Sequence, residues 1–348
     1  MADLLNTLRV LGWRRAWRLW RGYRLGWMQT IAPFYTTRTL QTLLNVGFFD
    51  ELQRHGTIDV VCFADAHGLD GQILQSLVDS LYALRILDKR GTAYILDDKG
   101  RVLVEVARGW FDGVYGYEGI YHSLELLLRK ELVYGRDIYR RPDFVAKGSG
   151  EIENWIYFPL AIDLLTRGNR RRVLDLGCGD GTFLRHLCAA NPSIRGFGID
   201  ISPAAIADGE ELVRKAGLQE RIQLAVVDIN ALGSTPAELQ DIDAATVFFV
   251  LHEILYQGKD ALLQLLRSYR TLFPGVPLTV FEVDRATPDA MRRRPGMSVQ
   301  YTLQHDLSHQ KLISRSAWHA LFHEAGFTAI EERNLSFART VIFTVMGE

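Results

Sequence analysis

Val173-Leu174-Asp175-Leu176-Gly177-Cys178-Gly179-Asp180-Gly181-Thr182, with Gly198-Ile199-Asp200 downstream, decides the fold. Val173 and Leu174 close an apolar run that reads as a buried strand. Three glycines at alternate positions let the backbone turn sharply and approach a ligand where a Cβ would intrude. Thr182 to Leu187 then has helical apolar spacing, and Arg195 to Ile199 is a second strand ending on Asp200. Strand, glycine loop, helix, strand and acid in that order are the first βαβ unit of a doubly wound sheet, with the acid placed for ribose hydroxyls.

The spacing separates this loop from a dinucleotide fingerprint. There the third glycine comes one residue later, and helix-terminal amides face a pyrophosphate. Here Asp175 stands at the loop entry, where it would repel a pyrophosphate and suits a cationic amine. The pattern Asp-x-Gly-x-Gly-x-Gly resembles motif I of the class I S-adenosylmethionine-dependent methyltransferases. That resemblance implies S-adenosylmethionine as cofactor, held by Asp175, Gly177, Gly179, Gly181 and Asp200, with Asp228, after the strand Ile222 to Val227, near the adenine. A Rossmann-like loop serving another ligand is the weaker reading.

A length of 348 residues allows about two domains, and 48% hydrophobic with 23% charged residues is ordinary for a globular chain. A net charge of −1 gives no electrostatic case for nucleic acid. Cys62, Cys178 and Cys188 lack metal spacing and suit a reducing, cytoplasmic setting. No apolar run is long enough for an integral membrane span, and the first residues do not read as a signal peptide. Trp13, Trp17, Trp20 and Trp27 recur at helical spacing beside Arg14, Arg18 and Arg21. A helix packed on a partner subunit is the plain reading; a membrane-surface helix or a nucleic-acid arm are the alternatives.

Residues 1–150 read as a mainly helical, winged-helix-like domain. The helix around Thr39 to Phe49, the stretches Ile58 to Phe63 and Asp70 to Leu84, and a hairpin over Ile86 to Leu96 turning at Gly91 carry that expectation. Within Asp70 to Leu84 only Asp70 and Asp79 are charged, so a DNA-recognition helix is excluded. This layout resembles the N-terminal domain of small-molecule O-methyltransferases, which implies a homodimer and a roof over the active site. Phe111 to Arg141 is rich in tyrosine, and Arg136 is the candidate receptor for a substrate carboxylate.

Residues 151–348 read as the catalytic domain: a seven-stranded, Rossmann-like α/β sheet ending in an antiparallel hairpin, Ala329 to Leu335 with Thr340 to Val345. Ala244 to Leu251 is a continuous apolar strand with His252 and Glu253 at its carboxyl end, where ligands of such sheets sit. Val250-Leu251-His252-Glu253-Ile254 resembles the Leu-His-Asp-Trp element of winged-helix O-methyltransferases, in which the histidine is the general base. Glu253 and Ile254 depart from that pattern. His305, in a loop with Asp306 before the final helix, makes a second histidine.

Such a pair looks like the 2-oxo acid C-methyltransferases, a branch that places a metal ion at the substrate. The resemblance implies His252 and His305 as ligands for iron, zinc or manganese, with Asp306 as a further ligand or a partner of a histidine ring. C-methylation at C3 of a small 2-oxo acid in specialised metabolism is the favoured expectation. Metal-free O-methylation with His252 as base, and Glu253 or Glu282 orienting its ring, is the alternative. A descendant of the fold that binds the cofactor without methylating is the third, and the intact loop and His252 speak against it.

Overall fold

The computed structural model describes residues 8–234, 241–336 and 339–347, and it divides into two compact units, residues 1–115 and 116–348. The boundary lies earlier than position 150. Gly116 lies against Val145, where an added Cβ would come within 2.6 Å of Cγ2. Tyr117 hydrogen-bonds Gln310, so this segment joins the second unit.

The first unit is helical with one hairpin. Its helices are α1 (Trp13–Arg24), α2 (Trp27–Asn45), α3 (Phe48–His55), α4 (Val60–His67) and α5 (Gly71–Ala83). Asp59 and Asp70 cap α4 and α5 by accepting first-turn amides. The strands β1 (Leu87–Arg90) and β2 (Ala93–Leu96) pair antiparallel, and α6 (Asp98–Glu105) and α7 (Arg108–Gly116) follow. Leu43, Phe48, Phe49, Val78, Leu81 and Ile86 form its core.

The second unit continues with α8 (Glu118–His122), α9 (Leu124–Leu128) and the long α10 (Pro142–Arg167). Then come β3 (Arg172–Leu176), α11 (Thr182–Ala190), β4 (Arg195–Asp200), α12 (Pro203–Lys215), β5 (Ile222–Val226), β6 (Ala244–Phe248), α13 (Leu251–Gln257) and α14 (Lys259–Leu272). After β7 (Leu278–Val283), α15 (Pro288–Arg293), α16 (Met297–Asp306) and α17 (Arg315–Glu324) lead to β8 (Ala329–Leu335) and β9 (Thr340–Met346).

The sheet order is β5-β4-β3-β6-β7-β9-β8. The first five strands are parallel, and the last hairpin joins antiparallel through β9. Every residue of β6 and β7 is buried, as central strands covered on both faces require. Side-chain alternation splits the core. Leu174, Val247, Val280 and Phe343 pack with Leu262, Leu266 and Trp318 on one face. Val173, Phe248, Phe281 and Ile342 pack with Phe158, Phe183 and Leu187 on the other. Among the described residues no helix is long and apolar enough to cross a membrane.

Two local expectations are corrected. The sixth strand stops at Phe248 rather than Leu251, because Phe249 adopts a left-handed φ of 54° and turns the chain into α13. His305 lies in the last turn of α16, not in a loop.

The order of strands around β3 makes the crevice, and α12 seats against it with no slack. A Cβ on Gly209 would come within 2.7 Å of both the Asp180 carbonyl oxygen and Leu224. Gly209→Ala is therefore expected to cost about 1–3 kcal/mol. Urea denaturation reads this as a lower midpoint with an unchanged slope.

Candidate active site

The cofactor loop leaves β3 with Gly177, Gly179 and Gly181 all in the left-handed region, at φ of 76°, 56° and 70°. Gly177 passes Val250 at a separation no side chain would fit, whereas Gly179 faces open space. Both oxygens of Asp200 are engaged: Oδ2 accepts from the Gly179 amide at 2.9 Å and Oδ1 from the Ser202 amide at 2.8 Å. The acid read as a ribose ligand thus also ties the glycine loop to the end of β4.

Asp175 is buried and accepts the Thr246 hydroxyl at 2.7 Å. Burial, opposed by that hydrogen bond, pushes its pKa up to about 7. Glu153 on α10, half-buried one turn before Tyr157, is pushed up to about 8 by burial and then by the Asp175 charge. Asp228 follows β5 and accepts the Asn230 amide.

The second half of the crevice gathers around His252, in the first turn of α13. Its backbone amide donates to Glu282 Oε1 at 3.1 Å, and its Nδ1 lies 3.0 Å from Glu282 Oε2. Both side chains are almost fully buried, at 2% and 0% exposure. Burial opposes a charge on His252, yet the Glu282 charge and hydrogen bond prevail and its pKa is raised.

His305 donates from Nδ1 to the Tyr301 carbonyl at 2.8 Å, and its ring stands 5.2 Å from that of His252. Burial, then the nearby His252, drives its pKa down to about 3. A carbonyl only accepts and Glu282 accepts as a carboxylate, so both rings carry hydrogen on Nδ1 and turn Nε2 elsewhere.

Arg136 is not brought to this place. It is 68% exposed and forks onto the adjacent Asp137. Arg140 stands there instead: its Nη2 meets Glu253 at 2.7 Å, and its charge is felt by both histidines. Glu253 therefore does not orient the His252 ring. It accepts from Arg140 and from Gln310 at 2.6 Å, and Tyr117 donates to Gln310. Burial would raise the pKa of Glu253, but Arg140 outweighs it and the carboxyl is held below its ordinary value. Asp306 points away, in a two-pronged ion pair with Arg285.

Sequence reasoning passed over Arg140, Gln310 and Glu153. The neighbouring Asp137, which neutralises Arg136, was the available hint for Arg140. Among the described residues no trio of His, Cys, Asp or Glu converges as a ready-made metal site. Each Nδ1 of the histidine pair is committed to an acceptor, so Nε2 is the nitrogen of each ring that a ligand would meet.

The family model for a methyltransferase domain matches residues 156–332. A 2-ketoarginine methyltransferase of Streptomyces arginensis is 30% identical over 316 residues, covering 88% of this chain and 89% of its own. Two solved structures share the fold. The mitomycin 7-O-methyltransferase MmcR has a TM-score of 0.69 and 17% identity, with 96% of this chain and 99% of that one covered. Human N-acetylserotonin methyltransferase in complex with SAM has a TM-score of 0.66 and 18% identity, covering 96% and 98%.

Two outcomes follow from the cofactor loop. Asp200→Ala removes acceptors from two amides, each bond to a charged group being worth about 1.5–3 kcal/mol. Calorimetry should show donor affinity reduced at least roughly tenfold. Asp175, with a folded pKa of about 7, is ionised more readily in the unfolded chain. It therefore weakens the fold as pH rises from the ordinary carboxylate range through 7. Asp175→Asn should flatten that decline in a series of ligand-free urea melts.

Proposed function

The chain belongs to the S-adenosylmethionine-dependent methyltransferases, and from that premise we propose that it methylates C3 of a small 2-oxo acid, aided by a cation held by His252 and His305. The observation that carries this reading is the pair of buried imidazoles, ring centres 5.2 Å apart in an edge-to-face arrangement, with both Nδ1 atoms already committed. Two such nitrogens hold an ion while leaving positions for substrate oxygens and water. When bound, iron, zinc or manganese would supply Lewis acidity that eases removal of the C3 proton of a 2-oxo acid.

The chain's own groups do the rest. Arg140, its fork fixed by Glu253, suits the substrate carboxylate. Glu282 fixes the ring of His252, and the Tyr301 carbonyl fixes His305. Asp175, Gly177, Gly179, Gly181, Asp200 and Asp228 are assigned to the donor. Methyl transfer forms a carbon–carbon bond and breaks the sulfonium S–CH3 bond, giving a 3-methyl-2-oxo acid, S-adenosylhomocysteine and a proton. Alignment of the two reactants supplies much of the barrier reduction. The likeness to a 2-ketoarginine methyltransferase supports the acid class.

The same reading takes the first unit as winged-helix-like and as the homodimer surface, where Met28, Ile31, Phe34 and Tyr35 of α2 lie exposed. It takes the second unit as the catalytic domain, in a cytoplasmic enzyme of specialised metabolism. The buried His252–Glu282 dyad favours a second reading, O-methylation of a hydroxyl with His252 as general base.

Labelled donor with a panel of 2-oxo acids and phenols distinguishes them. His305→Ala should lower 2-oxo acid turnover roughly a hundredfold or more at unchanged donor affinity, and a chelator should do the same to the parent protein. Chelator-insensitive methylation of phenols that survives His305→Ala would overturn C-methylation.

A further inference from the structure

The motif that the catalytic reading leaves unused is α1, Trp13 to Arg24. None of its residues is buried. Trp13, Trp20 and Tyr23 are 72%, 58% and 65% exposed, and Trp17 and Leu19 are exposed as well. At roughly 100° per residue, Leu19, Tyr23, Ala16, Trp20, Trp13 and Trp17 fill one arc of about 160°. Arg21, Arg14, Arg18 and Arg15 fill the opposite side, whereas Arg24 falls within the aromatic arc, its guanidinium 5.6 Å from the Trp20 ring centre. The helix holds no acidic residue, so its positive charge is local in a chain whose net charge is −1.

We infer that α1 is a peripheral anchor that lies in the headgroup layer of an anionic lipid bilayer. Charge complementarity selects this occupant. A self-paired α1 in a two-fold dimer would cover the aromatic face yet leave both arginine rows with no acid on the helix to answer them. A negatively charged lipid surface attracts the cationic helix as a whole, Arg21 and Arg15 at the borders of the aromatic arc most directly. Tryptophan and tyrosine rings prefer the headgroup level, and arginine stems extend from there to water. High polar-face charge with an aromatic opposite face is the composition of helices that lie on membranes rather than cross them.

The test is flotation of the full-length protein with vesicles of phosphatidylcholine alone or mixed with phosphatidylglycerol. Binding to the mixed vesicles should exceed binding to phosphatidylcholine at least roughly tenfold and fall away at high salt. Tryptophan emission should shift to the blue on binding, since Trp13, Trp17, Trp20 and Trp27 are four of the seven tryptophans. Joint Arg14→Glu, Arg18→Glu and Arg21→Glu substitution should abolish binding while donor affinity, measured by calorimetry, stays unchanged. Equal binding to both vesicle types, or undiminished binding by the triple variant, would overturn the inference. So would sedimentation showing that Trp17→Ser with Trp20→Ser splits a dimer, which would assign the face to a second copy.

Discussion

The site depends on a carboxylate with no access to water. Glu282, at the end of β7, is fully buried, and a buried charge is tolerated only when hydrogen-bonded. Its two oxygens take the amide and the ring nitrogen of the same residue, His252. One group thus fixes both the start of α13 and the tautomer of the imidazole. The ring then has its Nε2 free, opposite a second imidazole held by a backbone carbonyl. Removing one member of such a buried pair strands the other, at a cost of about 3–5 kcal/mol. Packing and chemistry are therefore not separable at this point.

The strands were legible because their signal is local. Apolar runs at 173–176, 195–200, 278–283 and 340–346 are bounded by glycine or charge, and each reads without knowledge of its neighbours. The turn after β3 was legible for the same reason, since three closely spaced left-handed residues demand glycine. The end of β6 was not. Phe249 holds a left-handed conformation that nothing in an aromatic side chain announces, and its ring is kept there by Tyr157 at 4.8 Å. Nor could the sequence choose between Arg136 and Arg140. Both lie in one polar run, and only the fold brings Glu253 and Tyr117 to the second. Asp306 failed likewise: it adjoins a buried histidine, but successive helical positions face different ways, and Arg285 takes it.

Position in the sheet explains why these groups meet. Asp175 and Asp200 stand at or near the carboxyl ends of β3 and β4, with His252 just beyond β6 and Glu282 near the end of β7. In an open parallel sheet that edge is where the chain leaves a crevice, so residues remote in sequence share one cavity. The hairpin of β8 and β9 closes the opposite side and, through Thr340, holds the Tyr157 hydroxyl at 2.8 Å. Tyr157 in turn carries α10, whose preceding turn presents Glu153 within electrostatic reach of Asp175.

The charges in this crevice are sorted. Around the glycine loop stand Glu153, Asp175 and Asp200, and beside His252 stands the Arg140 guanidinium. The proposed reaction would set its cationic sulfonium donor by these acids and its anionic acceptor by Arg140. The raised pKa values of Asp175 and Glu153 show that burial taxes their ionisation, and a bound cation would relieve that strain. Methyl transfer turns the sulfonium into a neutral thioether. The acids then lose the charge that favoured them, so attraction to the spent donor weakens as the reaction completes. Under the proposed assignment, the same acids that attract the sulfonium thus favour release of the neutral thioether once the methyl group has left.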